Sequence, residues 1–184
     1  MQRVNLEGLY AVVLAALPHL QRAPGGRVVV VSPPIYSRFF RGKTAYAMGK
    51  VAMSILTKGL AMDLVHDGLK DMAIISIWPA AIESAATAQF TNLRPDEAYD
   101  LRKATIFSDA TLAILNAPAS VVNGELHLDE DFLREHARVT DFSKYNLVPG
   151  ASPRRIMPAQ LPDLTVAEQD DEGKRLDSSK KARL

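Results

Sequence analysis

Four consecutive valines, Val28–Val31, constrain this chain more than any other segment. They stand between Gly25-Gly26 and Pro33-Pro34. A short β-branched run bounded by turn residues reads as a strand. Apolar residues on both sides of its pleat predict burial of both faces, as in a parallel sheet covered by helices. Residues 72–78 form a second such run, halted by Pro79, and Val121–Leu128 a third, with Asn123-Gly124 marking a bend. Between the strands the apolar period changes to that of helices. Residues 3–21 carry Val4, Leu9, Val13 and Leu17 at helical spacing, and Ala23-Pro24-Gly25-Gly26 stops them. Thr44 to about Val65 predicts a long helix with Ala47, Val51, Ile55, Leu56, Leu60 and Leu64 on its apolar side. Shorter helices are expected within 81–90, 104–116 and 132–136. The order α-β-α-β-α-β predicts an α/β fold with a parallel sheet flanked by helices.

In such sheets the working edge lies at the carboxyl ends of the strands. Ser32 and Pro79 stand at two of these ends, and Tyr46 and Lys50 open the helix after the first. Spaced i, i+4, Tyr46 and Lys50 share one helix face. An ammonium beside a phenol favours the phenolate, so Tyr46 is a candidate proton donor or acceptor at a carbonyl or carbinol oxygen. The competing reading is a surface tyrosine beside a solvated lysine. For Ser32 it is a strand-end cap.

Composition narrows the chemistry. The 184 residues suffice for one domain with a core, and a net charge of +1 implies no strong field for nucleic acid or an anionic membrane. The absence of cysteine removes disulfides, thiolate metal sites and a cysteine nucleophile. His19, His66, His127 and His136 are scattered without a recognised ligand spacing, so no metal site is expected. No apolar run reaches membrane-spanning length. No signal-peptide pattern is expected either, since Glu7 falls where its apolar core would begin.

Four segments then occur in a telling order: Val4-Asn5-Leu6-Glu7-Gly8, the strand ending in Ser32, Tyr46-Ala-Met-Gly-Lys50, and Pro79-Ala80-Ala81-Ile82-Glu83-Ser84. Together they resemble the V-N-x-x-G, serine-strand, Y-x-x-x-K and P-G-x-V-x-T motifs of the short-chain dehydrogenase/reductase family. Ser32-Pro33-Pro34, Ile77-Trp78-Pro79, Ser108-Asp109-Ala110, the stretch 123–133 and the proline-rich segment around Lys144–Pro153 resemble its hydroxysteroid dehydrogenase-like branch, many of whose members are peroxisomal. The resemblance runs from residue 2 to about residue 160.

It implies the C-terminal half of a Rossmann-like doubly wound sheet, about three strands with flanking helices, and an NAD(P)-dependent oxidoreductase acting on an alcohol or carbonyl, lipid-derived in one reading. Tyr46 would be the general acid/base and Lys50 would lower its pKa and hold the nicotinamide ribose. Ser32 would steady the substrate oxygen, and Asn5 would hold a relay water. Pro79, Ile82 and Ser84 would contact the cofactor, NADP or NAD. Self-association is the implied partner mode.

The sequence departs from the family pattern. Ser32 lies 14 residues before Tyr46, against the usual 13, and Pro33 occupies the place of the second serine. Ala80 replaces a glycine, so the backbone there must avoid positive φ. Ser84 replaces threonine. No glycine-rich strand-turn-helix is present to receive a pyrophosphate, so the N-terminal βαβ units are expected to be missing. The chain alone is therefore expected to be marginally stable, with the valine strand as an apolar edge, and to bind no dinucleotide tightly.

Residues 1–146 are expected to form the dehydrogenase portion, 147–167 a proline-rich surface segment and 168–184 a flexible charged tail. The final Ala182-Arg183-Leu184 fits the small-basic-leucine peroxisomal signal, with a cytoplasmic location as the alternative. Two further functions compete with the enzyme: a non-enzymatic remnant that pairs with intact relatives, and a small-ligand module using residues 80–100 as a lid.

Overall fold

Three parallel strands, β1 (Arg27–Val31), β2 (Ala73–Trp78) and β3 (Leu126–Leu128), lie side by side in the order β1-β2-β3. Val29 pairs with Ile75, and Trp78 with Leu128. The computed structural model describes residues 3–36, 42–155, 157–158 and 160–162. A π-helical turn (Arg3–Gly8) leads into α1 (Leu9–Leu20), and α2 (Thr44–His66) crosses from β1 to β2. After β2 come α3 (Ala85–Leu93), α4 (Thr105–Asn116), the single turn α5 (Ala119–Val122) and, beyond β3, α6 (Asp129–His136).

The central strand explains the layering. Residues Ala73 to Ile77 are all wholly buried, and successive side chains point to opposite faces. Ile75 and Ile77 pack with Ile106 and Ile114 of α4 and Phe132 of α6. Ile74 packs on the other face with Val30, Met53 and Leu64, beneath α1 and α2. Helices thus cover both faces, as a doubly wound α/β sheet requires.

Three expectations need correction. The run Val121–Leu128 is not one strand: its first residues form α5, and only Leu126–Leu128 join the sheet. Asn123-Gly124 is the hinge between them. The Asn123 side chain accepts a hydrogen bond from the Ile74 backbone N–H (3.2 Å) and donates one to the Ala61 carbonyl (3.0 Å). Gly124 has φ +79°, and a Cβ there would lie 3.0 Å from that of Ala61, so the turn needs a residue without one.

The second correction concerns α2, which buries Ala47, Ser54, Thr57 and Ala61 along with Met53 and Leu64, while Ile55 is 59% exposed. Small residues let the helix approach the sheet closely. The two hydroxyls stay satisfied, Ser54 by donating to the Pro33 carbonyl (2.7 Å) and Thr57 to that of Met53 (3.0 Å).

Third, the valine strand is not buried on both faces. Only Val30 is fully buried, because β1 is an edge of the three-stranded sheet. The nearby helices expose apolar side chains as well: Tyr10, Val12 and Leu14 on α1, and Met48, Ile55 and Met62 on α2. The β1 edge is the one anticipated from the sequence, and the exposed helix faces lie beside it.

After α6 the chain returns across the sheet's carboxyl edge. Arg155 clasps Asp131 through two bonds (2.6 and 2.9 Å), Arg154 pairs with Asp100 (3.0 Å), and Met157 is buried with Tyr36, Leu128 and the partly buried Trp78. The charged stretch 168–184, with its terminal tripeptide, lies outside the described residues.

Candidate active site

The carboxyl ends of β1 and β2 meet at Lys50. Its ammonium donates to the carbonyl of Val31, the last residue of β1 (2.9 Å), and lies 5.6 Å from the ring centroid of Trp78, the last residue of β2. Two helix-facing contacts therefore fix one cation over two strand ends. Partial burial holds the Lys50 pKa below its ordinary value.

Tyr46 lies one turn earlier on the same face of α2 and is half-buried. Burial raises its phenol above the usual value. This direction is opposite to that expected of a phenol beside an ammonium, and burial is its cause. Asn5 is half-buried within the π-helical turn, which packs against α2. Such a turn widens the helical hydrogen-bond pattern and is often found at working sites.

Ser32 behaves differently. It is 0% exposed, and its hydroxyl lies 2.8 Å from that of Ser76 on β2. Ser76 in turn donates to the Ser32 carbonyl. The pair ties the end of β1 to β2, so the Ser32 hydroxyl faces the interior.

The loop after β2 is held from below. The Ala80 N–H donates to Asp129 Oδ1 (3.0 Å), and Ile82 pairs in parallel fashion with Arg102. Ala80 is absent from the positive-φ positions, as its Cβ demands. Ser84 caps α3: its Oγ accepts from the Thr87 N–H (3.2 Å), and the Thr87 hydroxyl accepts from the Ser84 N–H (2.7 Å), a reciprocal capping box. Thr87 also donates to the Ile82 carbonyl (3.1 Å), closing the loop on itself.

Two residues that sequence reasoning missed build this support. Asp129 is wholly buried at the start of α6, and desolvation pushes its carboxyl up to about 6 despite backbone N–H donors from Ala80 and Glu130. Arg102, 7% exposed, pairs with Glu130 (2.9 Å) and donates to Asn146 Oδ1 (2.9 Å). Arg102 lies in no recognised motif, and Asp129 enters the sequence reading only as part of the stretch 123–133, with no role of its own. A signal for Asp129 was its place directly after a predicted strand and before a helix.

The raised Asp129 pKa has a consequence for stability. The native carboxyl holds its proton more tightly than the unfolded one, so its contribution is full below about pH 4 and is lost as pH rises through about 6. Asp129→Asn is expected to flatten that limb, worth about 3 kcal/mol at most. Denaturant melts at pH 4 and pH 7 check this; unchanged pH dependence in the variant would contradict it.

Fit to a nicotinamide dinucleotide is partial. Lys50, the half-buried Tyr46 and the braced loop Pro79–Ser84 offer donors and a shaped edge for a nicotinamide ribose and its carboxamide. A pyrophosphate needs a close backbone approach at a helix N-terminus. The loops after β1 and β2 read Ser32-Pro33-Pro34 and Pro79-Ala80-Ala81, and β3 leads straight into the first turn of α6, Asp129-Glu130-Asp131. Prolines remove N–H donors from the first two, and carboxylates repel phosphate from the third.

Comparison with known proteins gives the family. The family described as short chain dehydrogenase matches residues 1–95. The chain belongs to the short-chain dehydrogenase family. Hydroxysteroid dehydrogenase-like protein 2 of Danio rerio is 30% identical over 153 residues, covering 82% of this chain and 35% of that protein. The Mus musculus protein of the same name is 28% identical over 174 residues, covering 93% and 32%. A crystal structure from Xanthomonas campestris, assigned as a dehydrogenase, superposes with a TM-score of 0.68 at 31% identity, over 91% of this chain and 57% of that one. This short-chain dehydrogenase chain thus spans about a third of the length of these two curated relatives, and within the family it is hydroxysteroid dehydrogenase-like.

The fold also bears on the histidines. His127 and His136, scattered in sequence, come together in the fold. With Glu135 they place three ligand atoms within 4.8 Å of one another.

Proposed function

We propose that this chain carries the acid/base apparatus of an NAD(P)-dependent oxidoreductase acting on the alcohol or carbonyl group of a partly apolar, lipid-derived substrate. The observation that carries the reading is the fixed position of Lys50 over the ends of β1 and β2, with Tyr46 one turn before it. In reduction, the Tyr46 O–H donates its proton to the carbonyl oxygen as that oxygen gains charge. The resulting phenolate is stabilised by the Lys50 ammonium once their shared site is closed to water. In oxidation the proton moves the other way. A bound nicotinamide cofactor supplies or accepts the hydride. Asn5 holds a relay water behind Lys50, while Pro79, Ile82 and Ser84 shape the nicotinamide edge. Ser32 stays in the sheet and is not assigned to the substrate oxygen.

Two exposed apolar residues on α3, Phe90 and Leu93, favour an apolar substrate. Self-association through the exposed apolar face of α1 and α2 belongs to the same reading, as does a peroxisomal address at Ala182-Arg183-Leu184. The test is carbonyl-dependent NAD(P)H consumption by the intact protein, with Tyr46→Phe as the decisive variant.

A further inference from the structure

β3 and the last turn of α6 converge at the sheet edge away from Tyr46, and their side chains are unlike the rest of the surface. His127 lies on β3, and Glu135 and His136 end α6. Phe132, wholly buried, holds both imidazoles: its ring centroid is 5.3 Å from that of His127 and 4.7 Å from that of His136. The two imidazoles stand 5.5 Å apart with their planes at 89°. Glu135 Oε2 lies 3.9 Å from His136 Nε2, and one ligand atom from each of the three residues falls within 4.8 Å of the others.

The geometry points to a site for a divalent transition-metal ion, of the zinc, cobalt or nickel class, held by His127, Glu135 and His136. Two nitrogens bound tetrahedrally at about 2.0–2.1 Å place their ring centroids roughly 5 Å apart, close to the separation already present. Closing the remaining gap takes side-chain rotation of about an ångström, well within the freedom of the exposed Glu135. Two imidazoles and a carboxylate are the donor set that borderline dications prefer, and three ligands leave a fourth position for water.

The surroundings favour a cation. The carboxylates of Glu135, Glu125 and Asp131 all bear on His127 with a sign that attracts positive charge. Arg134 is drawn away to Glu130 (2.7 Å) and Arg155 to Asp131 (2.6 Å). A bound ion would staple the end of α6 to β3 and so steady the helix that presents Asp129 to the Ala80 loop.

The site is separate from the proposed reaction and is tested without it. Tag-free protein is titrated with Zn²⁺ by calorimetry and with Co²⁺ by visible absorption. The expected result is one saturable site, weakened by about tenfold or more in His136→Gln. His127 touches the core, so the exposed His136 carries the test, with Glu135→Gln as a second variant. His19→Gln/His66→Gln should bind as the wild type does. Absence of saturable uptake, equal affinity in His136→Gln, or loss confined to the His19/His66 variant overturns the site.

Discussion

Tyr46→Phe is expected to lower kcat of the intact protein by about 10²–10⁴-fold, the usual range for a removed general acid or base. Cofactor affinity should change little. The variant loses only the phenolic oxygen, and Lys50 keeps its bond to Val31 and its place over Trp78. An interaction made only in the transition state lowers kcat and kcat/KM together, so KM should stay close to that of the wild type. A structural role for Tyr46 would instead reduce stability and leave turnover per folded molecule intact. Steady-state kinetics alongside fluorescence titration with NADPH and NADH separates the two. Turnover within a few-fold of the wild type would end the acid/base assignment.

Arg102→Ala is expected to produce the largest loss of stability, about 3–5 kcal/mol, because it strands the partners of a buried cation. Arg102 does three things at once. Its backbone bridges Ile82 and Asn146, its guanidinium pairs with Glu130, and the same group lies 5.6 Å from the Phe142 ring centroid. Removing the guanidinium leaves Glu130 with Arg134 as its remaining ion-pair partner among the described residues and leaves Asn146 short of a donor. Melting should fall by roughly 10 °C in a domain of this size. Arg102→Ala/Glu130→Gln should recover part of the loss, because Glu130 then no longer carries a charge that has lost one of its two partners. A melt of Arg102→Ala within about 0.5 kcal/mol of wild type would show the network to be incidental.

The layout of the fold was legible because hydrophobic period alone distinguishes strand from helix here. Val28–Val31 and Ala73–Trp78 are short, β-branched and halted by Pro, and Thr44–His66 is long and closed at its C-terminus by Gly68 at φ +76°. The run Val121–Leu128 misled because helix and strand share apolar residues over four positions. What decides it is the grip of the Asn123 side chain on Ile74 and Ala61, which no local pattern contains. Tyr46 and Lys50 were legible because i, i+4 on a helix is a local relation. Ser32 was half-legible: its position at the strand end could be read, but which way its hydroxyl points depends on Ser76, 44 residues away. Arg102, Asp129 and the His127–His136 pair depend on contacts between elements, so spacing could not announce them.

The reversal at Tyr46 has a physical cause worth testing. Half-burial raises the phenol, while Lys50, one turn along the same helix, directs its ammonium at a carbonyl and an indole; the proposed mechanism requires the same charge to favour the phenolate. The pH dependence of kcat for alcohol oxidation reports that coupling most directly. In the wild type the rate should rise with pH through one ionisation, as Tyr46 becomes able to accept a proton. In Lys50→Met the midpoint should move upward by about one unit or more, because the cation that favours the phenolate is gone. A midpoint unchanged by Lys50→Met would contradict the account that these two residues act as one proton-transferring pair.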